Sequence, residues 1–135
     1  MSESELPRLD YVNVVGISAE TSVLLGEAIE VPDDDLPEVS VHAMEMTSPN
    51  SDEEAFGVKL GIAHATTDMR ISIEAVAKYS GQLPDLNTDY MIEVLNSSAL
   101  PALFPYVYEA FNNTAARLPG ARPQIPASRP TANAD

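Results

Sequence analysis

Apolar and polar side chains alternate along four segments of the chain, and this alternation predicts β-strands. The segments are residues 17–23, 39–46, 56–64 and 69–79. A period of two places every second side chain on the same face of a sheet. The polar run Thr66-Thr67-Asp68 between the last two segments predicts a tight reversal, and hence a β-hairpin. Four strands without an intervening helix favour an antiparallel sheet, one face of which is covered by later helices.

After residue 80 the apolar period changes to three or four, which predicts helices. Asn87 is the candidate N-cap of a first helix, and Asn96-Ser97-Ser98 ends it. A longer helix follows, with Pro105 in its first turn, where a missing N–H is tolerated. The positions on the apolar faces of the two helices are Leu86, Tyr90, Val94 and Leu95, and then Leu103, Val107, Ala110, Phe111, Thr114 and Leu118. The sequence therefore predicts an α+β fold, in which a four-stranded antiparallel sheet precedes a short and a long helix.

A single domain accounts for most of the chain, because 135 residues suit one hydrophobic core. We expect residues 1–10 to form a flexible acidic N-terminus and residues 11–125 to form the domain. Prolines recur among small residues toward the C-terminus, where they exclude the interior of a helix or sheet. We therefore expect residues 126–135 to form a disordered, Pro-rich tail.

The charge balance is strongly acidic, with 21 Asp and Glu against 7 Lys and Arg and a formal net charge of -14. Nucleic acids and anionic membranes attract cationic faces, so neither is an expected partner, whereas a basic protein is. The absence of Cys rules out disulfides, thiolate zinc sites and cysteine nucleophiles. The first ten residues lack the runs of a signal peptide, and no apolar stretch reaches the roughly 20 residues of a membrane span. We expect a cytoplasmic protein.

Residues that could carry catalysis or hold a metal ion form no recognised pattern. His42 and His64 are the only imidazoles, and their spacing matches no metal site. The acidic runs 33–35 and 52–54 lack the layout of a calcium loop, so we interpret them as solvated loop charge. No nucleophile elbow, paired-carboxylate or phosphate-loop motif occurs. We expect no enzymatic activity, metal ion or cofactor, and a site built on His42 or His64 is the alternative.

The second predicted strand offers a candidate binding surface, because both of its faces are partly apolar. Val41 and Ala43 lie on one face, and Met44 and Met46 lie on the other. Methionine adapts to varied partners, although it fills gaps in a core more often.

Five short motifs follow one another in an order and spacing that cover about residues 11–125. The most specific is Leu103-Phe104-Pro105-Tyr106, at the start of the long predicted helix. Gly120-Ala121-Arg122-Pro123-Gln124-Ile125 follows the end of that helix. The three others are Ile17-Ser18-Ala19-Glu20, Leu36-Pro37-Glu38-Val39 and Phe56-Gly57-Val58-Lys59-Leu60. Together they resemble the bacterial SecB export chaperones, whose main helix opens with Leu-Phe-Pro-Tyr and is closed by Gly-x-Phe-Pro-Gln-Leu.

The resemblance implies a molecular chaperone that binds unfolded precursor proteins and keeps them translocation-competent for the Sec export pathway. It also implies a homotetramer, assembled as a dimer of dimers, and transfer of clients to the SecA motor. Such a holdase gains affinity from many weak contacts with an extended client. The residues placed by position in the client-binding groove are Leu36, Val41, Ala43, Phe56 and Tyr79. Glu20 matches a glutamate that faces SecA, and the residues that would shape the helix start and the assembly are Phe104, Pro105 and Tyr106. Ordinary core packing is the alternative for each groove and helix residue.

The chain departs from the family pattern at several of these places. Gly16 stands where the family has an acidic partner of the SecA-facing glutamate, and Asp35 stands where a groove aromatic is expected. Ala75-Val76-Ala77-Lys78-Tyr79 replaces a Gly-rich segment. The residues after Ile125 cannot form the family's last helix, because prolines interrupt them. These departures leave a second function open, that of a SecB-like chaperone or acidic adaptor dedicated to one partner, such as an antitoxin.

Overall fold

A computed structural model describes residues 5–48 and 51–132 of the chain. The sheet has four strands: β1 (Leu9–Thr21), β2 (Glu38–Ser48), β3 (Ser51–Ala65) and β4 (Met69–Ser80). Every pair is antiparallel and the order is β1-β4-β3-β2, so β1 and β2 are the two edges. The predicted antiparallel sheet followed by helices is confirmed.

The hairpin between β3 and β4 turns at Thr66-Thr67-Asp68, as predicted. The Thr66 N–H donates to the Met69 carbonyl at 2.9 Å, and the Asp68 N–H donates to Thr66 Oγ1 at 3.2 Å. Local hydrogen bonds of this kind are the reason that Thr and Asp favour tight turns. The turn fixes the register in which Ala65 opposes Arg70.

Strand β1 begins at Leu9, well before the residue at which the alternation predicts it. The pairing with β4 shifts register twice, between Leu9 and Tyr11 and between Val14 and Gly16. Each shift inserts an unpaired residue and interrupts the alternation of faces. The period of two is therefore visible in the sequence only after the second shift.

The predicted domain boundaries stay predictions. Strand β1 starts inside the range 1–10 predicted to be flexible. The first four residues of that range, residues 49–50, and the last three residues of the predicted tail lie outside the described part of the chain.

In the described part of the chain, the α-helices are α1 (Ser22–Leu25), α2 (Asp89–Val94) and α3 (Leu100–Ala116). Thr88, and not the predicted Asn87, is the N-cap of α2, because its Oγ1 accepts the N–H of Met91 at 3.2 Å. Pro105 lies inside α3 and not in its first turn, so it removes one hydrogen bond from the helix.

The break predicted at Asn96-Ser97-Ser98 is a π-helical segment (Leu95–Ala99) that joins α2 to α3. Met91 and Leu100 are both buried, although they are nine residues apart. In a regular α-helix that spacing would put them on opposite sides, about 180° apart. The wider π turn takes up one additional residue, which turns the buried face of α3 back toward the sheet.

Helix α3 packs chiefly against β4, with smaller contacts to β1 and β3. It covers the face of the sheet that carries the odd-numbered residues of β4 and the even-numbered residues of β3. The largest fully buried side chains of this core include Phe56, Leu60, Met69, Ile71, Ile73, Tyr79, Met91, Leu100, Leu103 and Phe111. Strand β2 has no comparable contact with α3, so the helix does not cover the apolar side chains of this strand.

Candidate binding surface

An apolar strip along the edge strand β2 lies beside the core without the cover of α3. Val39, Val41 and Ala43 oppose Ile62, Leu60 and Val58 of β3, so they share the core face of the sheet. The three β3 residues are buried, whereas Val39 is 46% exposed and Val41 and Ala43 are half-buried. We call Val39, Val41 and Ala43, together with the preceding Leu36, the β2 surface.

The segment before β2 holds Leu36 in solvent, where its side chain is 61% exposed. The N–H of Asp35 donates to the Pro32 carbonyl at 3.0 Å, and Asp34 Oδ1 accepts the Leu36 N–H at 3.1 Å. Asp35 has a φ of 51°, a left-handed conformation that Asp tolerates better than most residues. The acidic run that we interpreted only as solvated charge therefore also builds the turn that presents Leu36.

The same loop lies against His64, which is 7% exposed on the core face of β3. His64 Nε2 is 3.7 Å from Asp35 Oδ1, and its Nδ1 is buried without a hydrogen-bond partner among the described residues. His42 is exposed on the opposite face of β2, since it opposes Lys59. The structure thus separates the two imidazoles. Within residues 5–48 and 51–132, no three His, Asp or Glu side chains are grouped so that they could hold a metal ion.

The two aromatic groove candidates, Phe56 and Tyr79, form a buried stacked pair in the core. Their ring centroids are 5.0 Å apart and their planes differ by 10°. The Tyr79 hydroxyl shares a hydrogen bond of 2.7 Å with Ser98 Oγ, and burial raises the pKa of Tyr79 above its usual value. Both rings are almost completely buried, and Tyr79 is bonded to Ser98 of the π-helical segment, so they support the sheet but do not line its accessible surface.

Glu20, the candidate SecA-facing residue, is exposed near the end of β1 on the face away from α3. Gly16, which lacks the acidic side chain of the family, opposes Glu74 of β4, and a Cβ built at Gly16 would lie 3.4 Å from Glu74 Oε1. A carboxylate is therefore present beside position 16, although β4 supplies it. Glu74 also lies 3.5 Å from the ammonium of Lys59.

The three candidate assembly residues at the start of α3 divide between core and surface. Phe104 is buried, with its ring 5.6 Å from that of Tyr108. Pro105 and Tyr106 are exposed. The tyrosine is therefore accessible to a second molecule.

A second set of exposed apolar side chains lies in the short helix α1, where the sequence predicts the end of the first strand. Strand β1 stops at Thr21 because its Oγ1 accepts the Leu24 N–H at 3.3 Å and caps the helix. Val23, Leu24 and Leu25 are all exposed, and Leu24 reaches 86%. Prediction of a strand through residue 23 is thus wrong, and this apolar surface is missed with it.

Comparison with known proteins supports the fold. No protein-family model and no curated protein sequence matches the chain. Of the helices that the structure describes, none is both long and apolar enough to cross a membrane. Among solved structures, the chain is similar to the Mycobacterium tuberculosis Rv1957 SecB-like chaperone, in complex with a ChAD peptide from the Rv1956 HigA1 antitoxin. The TM-score is 0.52 at 14% identity, over 90% of this chain and 88% of the other. The chain therefore has a SecB-like fold.

Proposed function

We propose that the protein is a holdase chaperone that binds unfolded or precursor polypeptides along the β2 surface and performs no catalysis. The observation that carries the proposal is the uncovered apolar strip next to the core of a SecB-like fold. A folded monomer gains nothing in stability from leaving Leu36 and Val39 exposed, whereas an extended client can cover them. Burial of apolar side chains supplies affinity without requiring a particular client sequence.

The geometry of β2 adds a second source of affinity. As an edge strand it has unpaired N–H and C=O groups along one side. An extended client can bond to these groups while its side chains meet the β2 surface. Glu38 and Glu45 are exposed on the same strand, so basic clients are favoured.

The remaining elements of the proposal follow the family resemblance. The chaperone would act as a homotetramer, a dimer of dimers, in the cytoplasm, and keep precursors translocation-competent for export. Glu20, with Glu74 beside Gly16, would face SecA. Phe56 and Tyr79 would form the floor beneath the groove, and Tyr106 would take part in assembly.

A dedicated chaperone for one partner, such as an antitoxin, is the second candidate function. Two observations favour it. Asp35 replaces the expected groove aromatic, which narrows the range of apolar clients. The Rv1957 chaperone, which has the same fold, is described in complex with an antitoxin peptide.

The proposal is tested by the substitutions Leu36→Ser and Val39→Ser, scored by how well each purified variant delays aggregation of a reduced, slow-folding client. Removing a large apolar contact should weaken client affinity about fivefold or more. Leu86→Ser is the matched control, since Leu86 is 56% exposed but lies outside the β2 surface. Equal activity of all three variants and the wild type would contradict the proposed site.

The molar mass in solution separates the two candidate functions. For a general holdase we expect a mass near four chains that rises with unfolded client and not with the same client folded. A protein that ignores generic unfolded chains but shifts with one partner peptide is a dedicated chaperone.

A further inference from the structure

The chain beyond α3 folds back over the molecule and is attached first at the β3–β4 turn. Asp68 Oδ2 accepts the Ala121 N–H at 2.6 Å, and Thr66 Oγ1 donates to the Ala121 carbonyl at 2.6 Å. Farther along, Pro123 and Ile125 are buried, with Ile125 in the hydrophobic core. These contacts direct residues 126–132 toward the start of α3.

The side chain of Asn96 then forms hydrogen bonds with both backbone groups, the N–H and the carbonyl, of one residue in this segment. Asn96 Nδ2 donates to the Ala132 carbonyl at 2.9 Å, and Asn96 Oδ1 accepts the Ala132 N–H at 2.7 Å. This is the pairing that one β-strand offers another, so it recognises an extended backbone and not a particular side chain. Asn96 belongs to the π-helical segment, and π turns inside helices are frequent at functional sites.

Residues 127–131 lie across the start of α3 and leave an open cleft between themselves and the helix. Open space of about 420 Å³ remains between helix and segment. The cleft is lined by Pro101, Phe104 and Pro105 on the helix side, and by Ala127, Ser128, Arg129 and Thr131 on the other. Most of the covering side chains are small, so a polypeptide with larger side chains would fill the cleft better.

We infer that the helix side of this cleft, formed by Pro101, Phe104 and Pro105, binds extended polypeptide, and that residues 126–132 lie over it in cis as a built-in competitor. The composition of the segment predicts disorder, whereas in the structure the paired hydrogen bonds to Asn96 hold the segment against the domain. Most of residues 126–132 are exposed, and the paired hydrogen bonds to Asn96 attach only Ala132, so another extended chain can displace the segment. The inference rests on the proposed function in one respect, namely that an unfolded client is the natural competitor.

The docked position is tested by hydrogen exchange of the Ala132 amide in the full chain. We expect slowed exchange in the wild type and in Asn112→Ala, an exposed asparagine of α3 that serves as the matched control. In Asn96→Ala the same amide should exchange at the rate of an unstructured peptide, because its acceptor is gone. An unprotected amide in the wild type, or protection that survives Asn96→Ala, would overturn the inference.

Competition is tested with a labelled synthetic peptide that copies residues 126–132, blocked at both ends. Ala132→Pro removes the N–H that Asn96 accepts and leaves the cleft intact, whereas Ala132→Ser keeps the N–H. We expect Ala132→Pro to bind the peptide about fivefold more tightly than Ala132→Ser, because the cleft is no longer occupied. Adding Asn96→Ala to Ala132→Pro should abolish that gain. Equal affinities of the two Ala132 variants, or no binding by either, would contradict the inference.

These outcomes are separable from failure of the proposed holdase function. If the protein suppresses client aggregation but the two Ala132 variants bind the peptide equally well, the chaperone function is retained and the competing role of the segment is rejected. Tighter peptide binding by Ala132→Pro without any effect on aggregation would retain the cleft and its competitor and reject the holdase.

Discussion

Asp68 joins three separate parts of the chain through one short turn. Its carbonyl accepts the N–H of Ser22, its carboxylate accepts the N–H of Ala121, and its own N–H donates to Thr66. Gly120 packs directly against it, with a φ of 107°. A side chain at position 120 would meet Asp68 at once, so we expect this glycine to be the most sensitive of the chain's turn glycines.

Gly120→Ala should lower the free energy of unfolding by about 1 to 3 kcal/mol, because it adds both backbone strain and a collision. A Cβ at position 120 would lie 2.6 Å from Asp68 Cβ. Gly26→Ala is the control, since Gly26 also has a positive φ but no atom within 4 Å of the added Cβ. It should cost about 1 kcal/mol, for strain alone. Urea unfolding of both variants measures the difference, and equal losses would show that the Asp68 contact relaxes without cost.

Prediction from sequence has a clear limit at this scale. The reversal at Thr66-Thr67-Asp68 could be predicted because short polar side chains form turns by local hydrogen bonds. The link from Asp68 to Ala121 could not, because no local pattern marks two residues so far apart. Phe56 and Tyr79 show the same limit, since an apolar position on a strand has the same signature in a core and in a groove.

At the scale of elements, the edge strand β1 is fastened to β4 by a polar cluster around Asp10. Its carboxylate accepts hydrogen bonds from Lys78 at 2.9 Å, Ser80 at 2.7 Å and Arg8 at 3.0 Å. The bonds from Lys78 and Ser80 are the main reason that the pKa of Asp10 falls from 3.8 to about 2. The Asp10 bond in turn raises the pKa of Lys78.

The substitution Asp10→Asn should lower the free energy of unfolding at neutral pH. In acid, the difference between the variant and the wild type should disappear. The folded-state pKa lies below the unfolded value, so the stabilising contribution is complete above about pH 4 and disappears as the pH falls through about 2. Unfolding measured across this pH range for wild type and variant gives the difference directly. Glu109→Gln, which removes an exposed carboxylate on α3, controls for the change in net charge. A constant gap between wild type and Asp10→Asn down to pH 2 would refute the assignment.

Elements whose alternation is regular could be predicted, and those interrupted by special geometry could not. Strand β4 appears in the sequence over its whole length, and β2 and β3 appear where they keep the period of two. The register shift between Met46 and Ser48 lies next to the first part of β3, which the alternation misses. The start of β1 is hidden by two register shifts, and the joined α2 and α3 are hidden by the π-helical segment, whose polar Asn96-Ser97-Ser98 is typical of a helix end. In both cases an extra residue changes the phase of the pattern without ending the element.

At the scale of the molecule, a net charge of -14 accompanies a large exposed apolar surface. Val23 and Leu24 on α1 and Leu36 before β2 would favour association of like molecules. Repulsion between acidic surfaces opposes that association, and salt weakens the repulsion. If the protein is the holdase that we propose, this repulsion would keep its exposed apolar surfaces free for clients.

Raising NaCl from 10 mM to 1 M shortens the Debye length from about 30 to 3 Å and should increase self-association. Light scattering should then show a lower second virial coefficient. Leu24→Ser should reduce this response more than Leu86→Ser, because Leu24 is the more exposed and lies within an apolar run. A coefficient that does not fall with salt would mean that charge does not control association.

Part of the candidate site could not be predicted from the sequence, because it is determined by the packing of the whole molecule. The resemblance indicated the fold and placed Leu36, Val41 and Ala43 in the predicted groove. That β2 is left uncovered depends on where α3 lies on the sheet, and packing between distant elements determines that position. The same holds for the cleft beside Asn96, whose other wall comes from the far end of the chain.

The strand order has a consequence for how this protein is made. Of the four described strands, β1 emerges from the ribosome first, yet the strand that pairs with it, β4, is translated last. Strands β2 and β3, which are joined by a short connection, can pair in the meantime. Until β4 arrives, Val12, Val14 and Ile17 have no strand beside them. A protein that we propose shelters other unfinished chains thus carries an unsheltered apolar strand until the last strand of its own sheet has been made.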